Sequence, residues 1–242
     1  MEHNFNKFEN GLKELNISLS SAQLEQFSRY YDLLVEWNSF MNLTSITEWE
    51  DVITKHFLDS LSIIKVFPSI SKESLSLIDV GTGAGFPGIP IKIAFPNVKV
   101  TLLDSLNKRI NFLNEVINNL GLLDIDAFHG RAEDFGHNSS FRESFDICVS
   151  RAVANMTVLS EFCFPFVKVN GYFIPYKADK AYEEYEASKS AISILGGELK
   201  DSFEFTLPDS DLYRVIFLIN KIKNTSSKYP RKAGVPTKNP LM

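Results

Sequence analysis

Residues 75–88 read LSLIDVGTGAGFPG, a short apolar run followed directly by a loop with four glycines. Glycine lets the backbone turn tightly after a strand and lets a ligand approach the main chain closely. In open α/β sheets, ligands bind at the carboxyl ends of the strands, where this loop is predicted to lie. The stretch therefore predicts a strand, a tight turn and a nucleotide-type cofactor site.

The spacing of the glycines discriminates between nucleotide sites. A dinucleotide fingerprint, G-x-G-x-x-G, opens directly after its strand, but Phe86 stands where the third glycine of a frame from Gly81 belongs. The frame 83–88 matches formally, yet it begins too late and contains Pro87. No Gly-Lys-Ser/Thr follows, which excludes a phosphate-binding P-loop. The remaining pattern, G-x-G-x-G after Asp79, resembles motif I of the class I S-adenosylmethionine-dependent methyltransferases.

The chain from residue 75 onward alternates strands with helices. Apolar runs predict strands at 75–80, 98–103, 125–129, 145–150, 171–177, 199–207 and 213–221. Helical patterns lie at 89–94, 108–120, 156–167 and 180–195. Repeated strand–helix units require a parallel sheet covered on both faces, whereas the last two strands are too close for a crossover helix and must pair antiparallel. The expected fold class is α/β, class I methyltransferase-like (Rossmann-like), with a mostly parallel sheet, an antiparallel C-terminal hairpin and an N-terminal helical cap.

The N-terminal helical cap is expected from its periodicity. Apolar side chains recur at spacings of three and four between Leu24 and Met41, which is typical of one helix face, and Ser20 or Ser21 is a suitable N-cap. Further helices are predicted through 5–15 and at 48–64. We divide the chain into a helical cap (1–70), an S-adenosylmethionine-binding core (71–221) and a basic C-terminal arm (222–242), which together form one integrated domain.

Composition excludes several classes of protein. A chain of 242 residues with 44% hydrophobic and 12% aromatic residues can bury a sizeable core, so a mainly disordered state is excluded. It contains no run of about 18 apolar residues that predicts a membrane helix, and its polar start lacks the features of a secretory signal. With only Cys148 and Cys163, a disulfide framework is excluded, and the cysteines and four histidines show no metal-ligand spacing. We expect a cytoplasmic monomer without a metal ion or a membrane partner.

Charge is distributed unevenly along the chain. Residues 220–242 contain six basic and no acidic residues, while the whole chain has a net charge of −5, so the first 219 residues carry −11. This asymmetry favours a polyanionic partner at one face only, although a solvated terminus has the same composition. We predict that Lys228, Arg231 and Lys232 contact RNA phosphates, on an ordered but non-helical arm that stands apart from the cofactor site.

Five motifs in chain order resemble the GidB/RsmG family (glucose-inhibited division protein B), and the match spans nearly the whole chain. They read EWNSFMNLT at 36–44, HFLDSL at 56–61, DVGTGAGFPGIP at 79–90, SRAVA at 150–154 and PRKAGVP at 230–236. That family methylates N7 of a guanine in bacterial small-subunit (16S) ribosomal RNA. The resemblance implies the same reaction here, with S-adenosyl-L-methionine as cofactor and 16S ribosomal RNA or the small ribosomal subunit as partner.

The resemblance also assigns residues to the cofactor. It implies contacts from Gly81 and Phe86 in the loop, from Ala132 and Glu133 after the third strand, and from Arg151 after the fourth. One departure concerns Lys177, because Ala178 replaces the glycine that often follows this lysine in the family. The role of Lys177 is therefore open.

Two further cofactor residues are expected from the fold. Gly83 belongs to the glycine loop, and Asp104 ends the second strand, where an acid accepts hydrogen bonds from ribose hydroxyls. Asp104 does not discriminate between cofactors, since NAD sites use the same device. Its alternative role is that of a strand-end cap.

The implied chemistry requires no general base. Guanine N7 carries a free lone pair, so catalysis should depend on in-line positioning of the base and the methyl group. Asp79 and Glu133 can supply the mildly anionic surface that suits a cationic sulfonium, and Arg151 is the candidate for positioning a base or phosphate by its planar donor fork. For His56, a local hydrogen bond, for example with Asp59, is favoured over catalysis.

Two other functions stay open on the residues alone. One is a class I methyltransferase for a small molecule, and the other is a non-catalytic nucleotide-binding regulator or an NAD-binding protein. The basic arm and the full-length resemblance favour RNA over a small molecule, and the glycine spacing disfavours NAD.

Overall fold

A seven-stranded sheet forms the centre of the protein in the computed structural model, which describes residues 3–242. The strands are β1 (Ser76–Val80), β2 (Lys99–Asp104), β3 (Ile125–His129), β4 (Phe145–Arg151), β5 (Val167–Lys177), β6 (Gly197–Thr206) and β7 (Tyr213–Lys221). Their order across the sheet is β3-β2-β1-β4-β5-β7-β6. Strands β1 to β5 are parallel, and β7 pairs antiparallel with both β5 and β6. The predicted parallel sheet with a closing antiparallel hairpin is confirmed.

Helices precede the sheet and cover both of its faces. They are α1 (Asn6–Glu14), α2 (Ser21–Met41), α3 (Trp49–Val52), α4 (Asp59–Leu61), α5 (Gly88–Ala94), α6 (Asn107–Leu120), α7 (Ala132–Phe135), α8 (Met156–Cys163), α9 (Ala181–Leu195) and α10 (Val235–Lys238). Ser20 begins α2 with a capping box, as its side chain and that of Gln23 each bond the other's main-chain N–H. Gly121 ends α6 in the left-handed conformation expected of it, with φ 61°.

Two apolar layers enclose the sheet because successive strand residues point to opposite faces. Ile147 packs with the helical cap, α5 and α6, whereas its neighbour Cys148 packs with α8 and α9. Ile174 and Phe173 of β5 divide in the same way. Both cysteines are buried in the second layer. The strands β1, β4 and β5 are thus buried on both faces, and their carboxyl ends remain the accessible edge.

Two of the predicted helices differ from those in the structure. The helix predicted at 48–64 consists of α3, a π-helical turn (Ile53–Leu58), α4 and a 3-10 turn (Ser62–Lys65). The helix predicted at 156–167 ends at Cys163, since Pro165 cannot donate a helical hydrogen bond. A 3-10 turn (Phe164–Phe166) leads directly into β5, which therefore begins four residues earlier than predicted.

The C-terminal arm lies against the body of the protein. The guanidinium of Arg142 donates hydrogen bonds to the carbonyls of Tyr229 and Thr225 at 2.8 and 2.7 Å. Tyr229 and the following Pro230 are buried. The arm is ordered as predicted, but it contains the short helix α10, so the prediction that it is non-helical is wrong for four residues.

Candidate active site

Two cavities open side by side at the carboxyl ends of the parallel strands. The smaller, of about 280 Å³, is lined by Gly81 after β1 and by Asp104 at the end of β2. The larger, of about 640 Å³, lies beside Arg151 at the end of β4 and is bordered on one side by the helical cap. Val153 lines both cavities, so the loop from β4 to α8 forms the wall between them.

The glycine loop curves around this wall. Gly81, Gly83 and Gly85 have φ values of 72°, 62° and 99°, a region that L side chains rarely adopt. A Cβ on Gly81 would lie 2.5 Å from Cγ2 of Val153, whereas one on Gly83 would meet nothing within 4 Å. The backbone at Gly81 is therefore closely covered, while open space remains beside Gly83.

Asp79 holds the loop from beneath. Its Oδ2 accepts hydrogen bonds from the hydroxyl of Thr82 at 2.7 Å and from the N–H of Gly88 at 2.9 Å. The side chain is fully buried, and Oδ1 has no hydrogen-bond partner among the described residues. Burial raises the pKa of Asp79 to about 6, although both hydrogen bonds and the charge of Arg151 act in the opposite direction. At neutral pH, the carboxylate is mostly ionised and supplies negative charge below the loop.

Asp104 joins the glycine loop to the smaller cavity. Its Oδ2 accepts hydrogen bonds from the N–H of Gly83 at 2.9 Å and from Nη1 of Arg109 at 3.1 Å, while Oδ1 accepts one from the N–H of Leu106 at 2.9 Å. A carboxylate has about four acceptor positions, and the fourth here is filled only by a long contact from Nη1 of Arg109 to Oδ1, at 3.4 Å, which a ribose hydroxyl can replace. The roles of strand-end cap and ribose acceptor are therefore compatible.

The smaller cavity fits the adenosine half of a cofactor by its donors and acceptors. Ala132 and Glu133 of α7 line it opposite the glycine loop, and Glu133 supplies a second carboxylate. Oε1 of Glu133 accepts a hydrogen bond from the N–H of Gly234 at 3.2 Å. The C-terminal arm thus reaches the edge of this cavity, which corrects the expectation that it stands apart from the cofactor site.

Arg151 belongs to the larger cavity and is held by a buried ion cluster. Its Nη1 donates hydrogen bonds to Oδ2 of Asp59 at 2.8 Å and to the carbonyl of Lys55 at 3.0 Å. The other carboxylate oxygen of Asp59 accepts from Nε of Arg214 at 3.0 Å, and only 2% of Asp59 is exposed. The cluster connects the helical cap, β4 and β7. Its two guanidinium groups give the larger cavity a cationic floor.

His56 supports this cluster as a neutral side chain. Burial, with the positive charge of Arg151, lowers its pKa to about 3. Nη2 of Arg151 donates to Nδ1 of His56 at 3.1 Å, and the imidazole stacks on Phe86 with ring centroids 4.3 Å apart. His56 forms a local hydrogen bond as predicted, but its partner is Arg151. Asp59, the partner suggested by the sequence, binds the same guanidinium.

Lys177 and Glu184 form a second polar pair in the larger cavity. Nζ of Lys177 donates to Oε2 of Glu184 at 2.7 Å and to the carbonyl of Ala154 at 2.9 Å. The same Oε2 accepts from the N–H of Met156 at 2.8 Å, at the start of α8. Both side chains line the cavity, and both are held against the loop that carries Val153.

The structure brings four of the predicted cofactor residues together around the smaller cavity: Gly81, Asp104, Ala132 and Glu133. Gly83 adjoins them through its hydrogen bond to Asp104. Arg151 lines the larger cavity instead, and the buried ring of Phe86 lies below it, 5.3 Å from the guanidinium carbon. The basic residues predicted to bind RNA, Lys228, Arg231 and Lys232, line neither cavity.

The sequence analysis assigns no role in the site to four residues that line the larger cavity: Val153, Glu184, Arg214 and the buried acid Asp59. Asp59 and Val153 stand inside quoted motifs, which is a signal that a role could have been assigned to them. Glu184 lies on the charged helix α9 and Arg214 on β7, between β5 and β6, and nothing in their local pattern marks them.

Residues 3–242 contain neither a candidate metal site nor a candidate membrane-spanning helix. Within that range, no group of three or more His, Cys, Asp and Glu side chains could hold a metal ion. None of the helices described there is both long enough and apolar enough to cross a bilayer.

Comparison with known proteins gives one consistent family. The family described as rRNA small subunit methyltransferase G (GidB) matches residues 23–215. A ribosomal RNA small subunit methyltransferase G of Lachnoclostridium phytofermentans is 57% identical over 235 residues, which cover 97% of this chain and 96% of that protein. The protein of the same name from Alkaliphilus metalliredigens is 52% identical over 231 residues, or 96% of each chain.

Solved structures that are distant in sequence share the fold. A putative transferase from Pyrococcus horikoshii has a TM-score of 0.53 at 16% identity and covers 69% of this chain and 64% of its own. TYW2 of M. jannaschii, solved in complex with AdoMet, has a TM-score of 0.51 at 17% identity and covers 68% of this chain and 77% of its own. At these identities, the likeness shows the class of fold that the sheet order already indicates.

Proposed function

This chain belongs to the GidB family, the rRNA small subunit methyltransferase G family, and from that premise we propose that it transfers a methyl group from S-adenosylmethionine to N7 of a guanine in 16S ribosomal RNA. The observation that carries the proposal is the pair of adjoining cavities that are both lined by Val153 of the loop from β4 to α8. A cofactor-type cavity at the glycine loop and a larger cavity beside it are what a two-substrate transfer needs.

The residues of the smaller cavity hold the cofactor in this proposal. Asp104 accepts hydrogen bonds from the ribose hydroxyls, and Ala132 with Glu133 contact the adenine side. Gly81 lines the cavity, and Gly83 leaves open space beside the backbone for the ligand. S-adenosylmethionine, when bound, supplies a methyl group on a positively charged sulfur. The carboxylates of Asp79 and Glu133 favour that charge.

Methyl transfer then needs positioning and no proton removal. The lone pair of guanine N7 forms the bond to the methyl carbon as the carbon–sulfur bond breaks, and the positive charge passes to the purine. His56 has no part as a base, since Nδ1 is engaged with Arg151, Nε2 lies 3.0 Å from the hydroxyl of Thr44, and the ring stacks on Phe86. Arg151 acts as a positioning residue, because its fixed guanidinium lines the cavity in which the base is held.

The RNA partner is supported by the relatives and by the exposed lysines. The curated relatives, which match the chain nearly end to end, are named for ribosomal RNA. Lys228 and Lys232 are exposed on the arm, where they can contact phosphates. A methyltransferase for a small molecule has no comparable support.

Mapping of modified nucleosides tests the proposal. We expect 7-methylguanosine at one position of 16S ribosomal RNA from cells that contain the protein, and unmodified guanosine there when its gene is deleted. The modification should return with the wild-type gene. An identical modification pattern in both strains would contradict the proposal.

Calorimetry tests the cofactor separately. The purified protein should bind S-adenosylmethionine and show no heat of binding with NAD, because the glycine spacing does not fit a dinucleotide. Binding of NAD alone would favour the regulator or NAD-binding alternative.

A further inference from the structure

The larger cavity has an occupant that can be identified by its chemistry. Its volume of about 640 Å³ lies in the range of small-ligand sites. It adjoins the smaller cavity across Val153, so whatever it binds lies next to the bound cofactor. Given the proposed function, that occupant is the base that receives the methyl group.

Two carboxylates line this cavity, and only one of them has an oxygen that accepts no hydrogen bond from the described residues. Both oxygens of Asp59 are engaged, one with Arg151 and the other with Arg214. Glu184 differs, because Oε2 accepts both of its hydrogen bonds, from Lys177 and from the N–H of Met156. Among the described residues, Oε1 of Glu184 has no hydrogen-bond donor. A fixed carboxylate with one open oxygen therefore lines a cavity whose other charged side chains are four cations and the paired Asp59. Glu184 also borders a neighbouring cavity of about 320 Å³ at the start of α8.

Guanine is the base that such a carboxylate selects. Its N1–H and N2–H₂ groups are adjacent donors on one edge, and an ionised carboxylate accepts from donors only. Adenine offers a single donor group, at N6, beside an acceptor at N1, so it cannot form the same pair. The N7 atom lies on the opposite side of the purine and stays free for the reaction.

We propose that the larger cavity binds the target guanine and that Glu184 recognises its N1–H and N2–H₂ edge, with Lys177 as the positioning residue that fixes the carboxylate. This inference rests on the proposed function. It assigns a role to Lys177, whose Nζ joins Glu184 to the carbonyl of Ala154 in the dividing loop. The base and the wall between the cavities are thereby held by one network.

The same contact also favours the transition state. Transfer of the methyl group places positive charge on the purine, which makes N1–H and N2–H₂ better donors. A hydrogen bond to a carboxylate therefore strengthens as the reaction proceeds, and interactions of this kind raise kcat. A purely structural Glu184, which caps the start of α8 and pairs with Lys177, would affect stability and not the choice of base.

The test compares guanosine with inosine, which keeps N7 and N1–H but lacks the N2 amino group. Small subunits are reconstituted with either nucleoside at the target position, and kcat/KM is measured for the wild type, Glu184→Gln and the control Glu183→Gln. Glu183 is an exposed neighbour on the same helix that does not line the larger cavity. Glutamine preserves the size of the side chain and an acceptor for Met156 N–H. Unchanged melting and cofactor binding confirm that each variant is folded.

We expect the wild type and Glu183→Gln to prefer guanosine by about tenfold or more, in line with the discrimination that a paired base contact provides. Glu184→Gln should lower kcat on guanosine and reduce the preference below about threefold. Equal slowing on both nucleosides with the preference retained would overturn the inference, because it indicates a structural role. A wild type that does not discriminate would also overturn it.

A binding measurement separates this inference from the proposed function. The wild type, saturated with S-adenosylhomocysteine, is titrated with guanosine 5′-monophosphate and with inosine 5′-monophosphate. Tighter binding of the guanosine nucleotide supports the recognition site even if no subunit is methylated, in which case only the proposed reaction fails. Equal binding, or none of either, contradicts the site whatever the activity, and this arm requires no variant.

Discussion

At the scale of single residues, burial sets the charge states that surround the two cavities. His56 and Asp79 are both buried near the charge of Arg151, and burial pushes their pKa values in opposite directions, to about 3 and about 6. Both groups therefore favour the uncharged form relative to the unfolded chain. The two groups therefore change the free energy of unfolding with pH in opposite directions.

The sign for His56 follows from its lowered pKa. The unfolded chain takes up a proton near pH 6.5 and the folded protein does so only near pH 3, so stability is lost as the pH falls below 6.5. For Asp79, whose pKa is raised from 3.8, stability is instead lost as the pH rises from about 4 to 6. In the wild type, the two trends oppose each other over that interval.

Replacing His56 exposes its contribution. We expect the free energy of unfolding of the wild type to fall by about 2 kcal/mol relative to His56→Gln between pH 7.5 and pH 5. Urea denaturation across this range measures the difference. The exposed His129 provides a matched control, and His129→Gln should follow the wild-type curve. A constant offset between the wild type and His56→Gln at every pH would show that the imidazole is not buried in its neutral form.

At the scale of secondary-structure elements, the π-helical turn is the feature that joins the helical cap to the sheet. The turn ends at Leu58, directly before Asp59, and carries His56 and the carbonyl of Lys55 toward Arg151. π-Helical turns occur often at functional sites. Here the turn places two side chains of one motif on the same guanidinium, which a regular α-helix predicted from periodicity does not anticipate.

Asp59 is expected to be the main electrostatic tie between these elements. Asp59→Ala leaves the guanidinium groups of Arg151 and Arg214 mostly buried without a counter-ion, which should destabilise the protein by about 3 kcal/mol. Asp51→Ala, which removes a partly exposed i,i+4 pair with Lys55, should cost less than about 1 kcal/mol. Chemical denaturation measures both variants. Similar losses for the two would mean that the buried cluster contributes no more than a surface ion pair.

At the scale of the whole molecule, the basic residues of segment 220–242 are partly neutralised by the body against which this segment packs. Lys221 is fully buried and pairs with Glu143 at 2.7 Å. Arg231 pairs with Glu161, of which only 1% is exposed, through Nε at 2.9 Å and Nη2 at 2.6 Å. The charge available to an RNA partner is therefore smaller than the six basic residues of the sequence suggest.

The two neighbouring basic residues of the arm should consequently behave differently. Arg231→Ala strands the carboxylate of Glu161, so we expect a loss of about 3 kcal/mol in stability. It should also weaken cofactor binding, since the same arm reaches Glu133 through Gly234. Lys232→Ala should leave stability and cofactor affinity unchanged and reduce the salt dependence of RNA affinity by about 0.7, the slope for one phosphate contact on a single strand.

Denaturation, calorimetry and RNA binding at several salt concentrations separate these outcomes. If Arg231→Ala lowered only the salt dependence and kept full stability, the pair with Glu161 would be unimportant and Arg231 would be a phosphate contact. If Lys232→Ala left the salt dependence unchanged, the arm near it would not touch RNA.

The glycine loop, the alternation of strands and helices, the edge hairpin and the position of Asp104 at a strand end are all predictable from the sequence alone. These are local properties, because periodicity, turn chemistry and connection length act over a few neighbouring residues. The ion pairs of Asp59 with Arg151 and Arg214, and of Glu161 with Arg231, are visible only in the tertiary structure. Such pairs join residues 70 or more positions apart and leave no periodic trace. A net charge computed from the sequence counts every charged group as if it were exposed to solvent. Folding pairs some of these groups in ion pairs and leaves others exposed, where they can bind a partner.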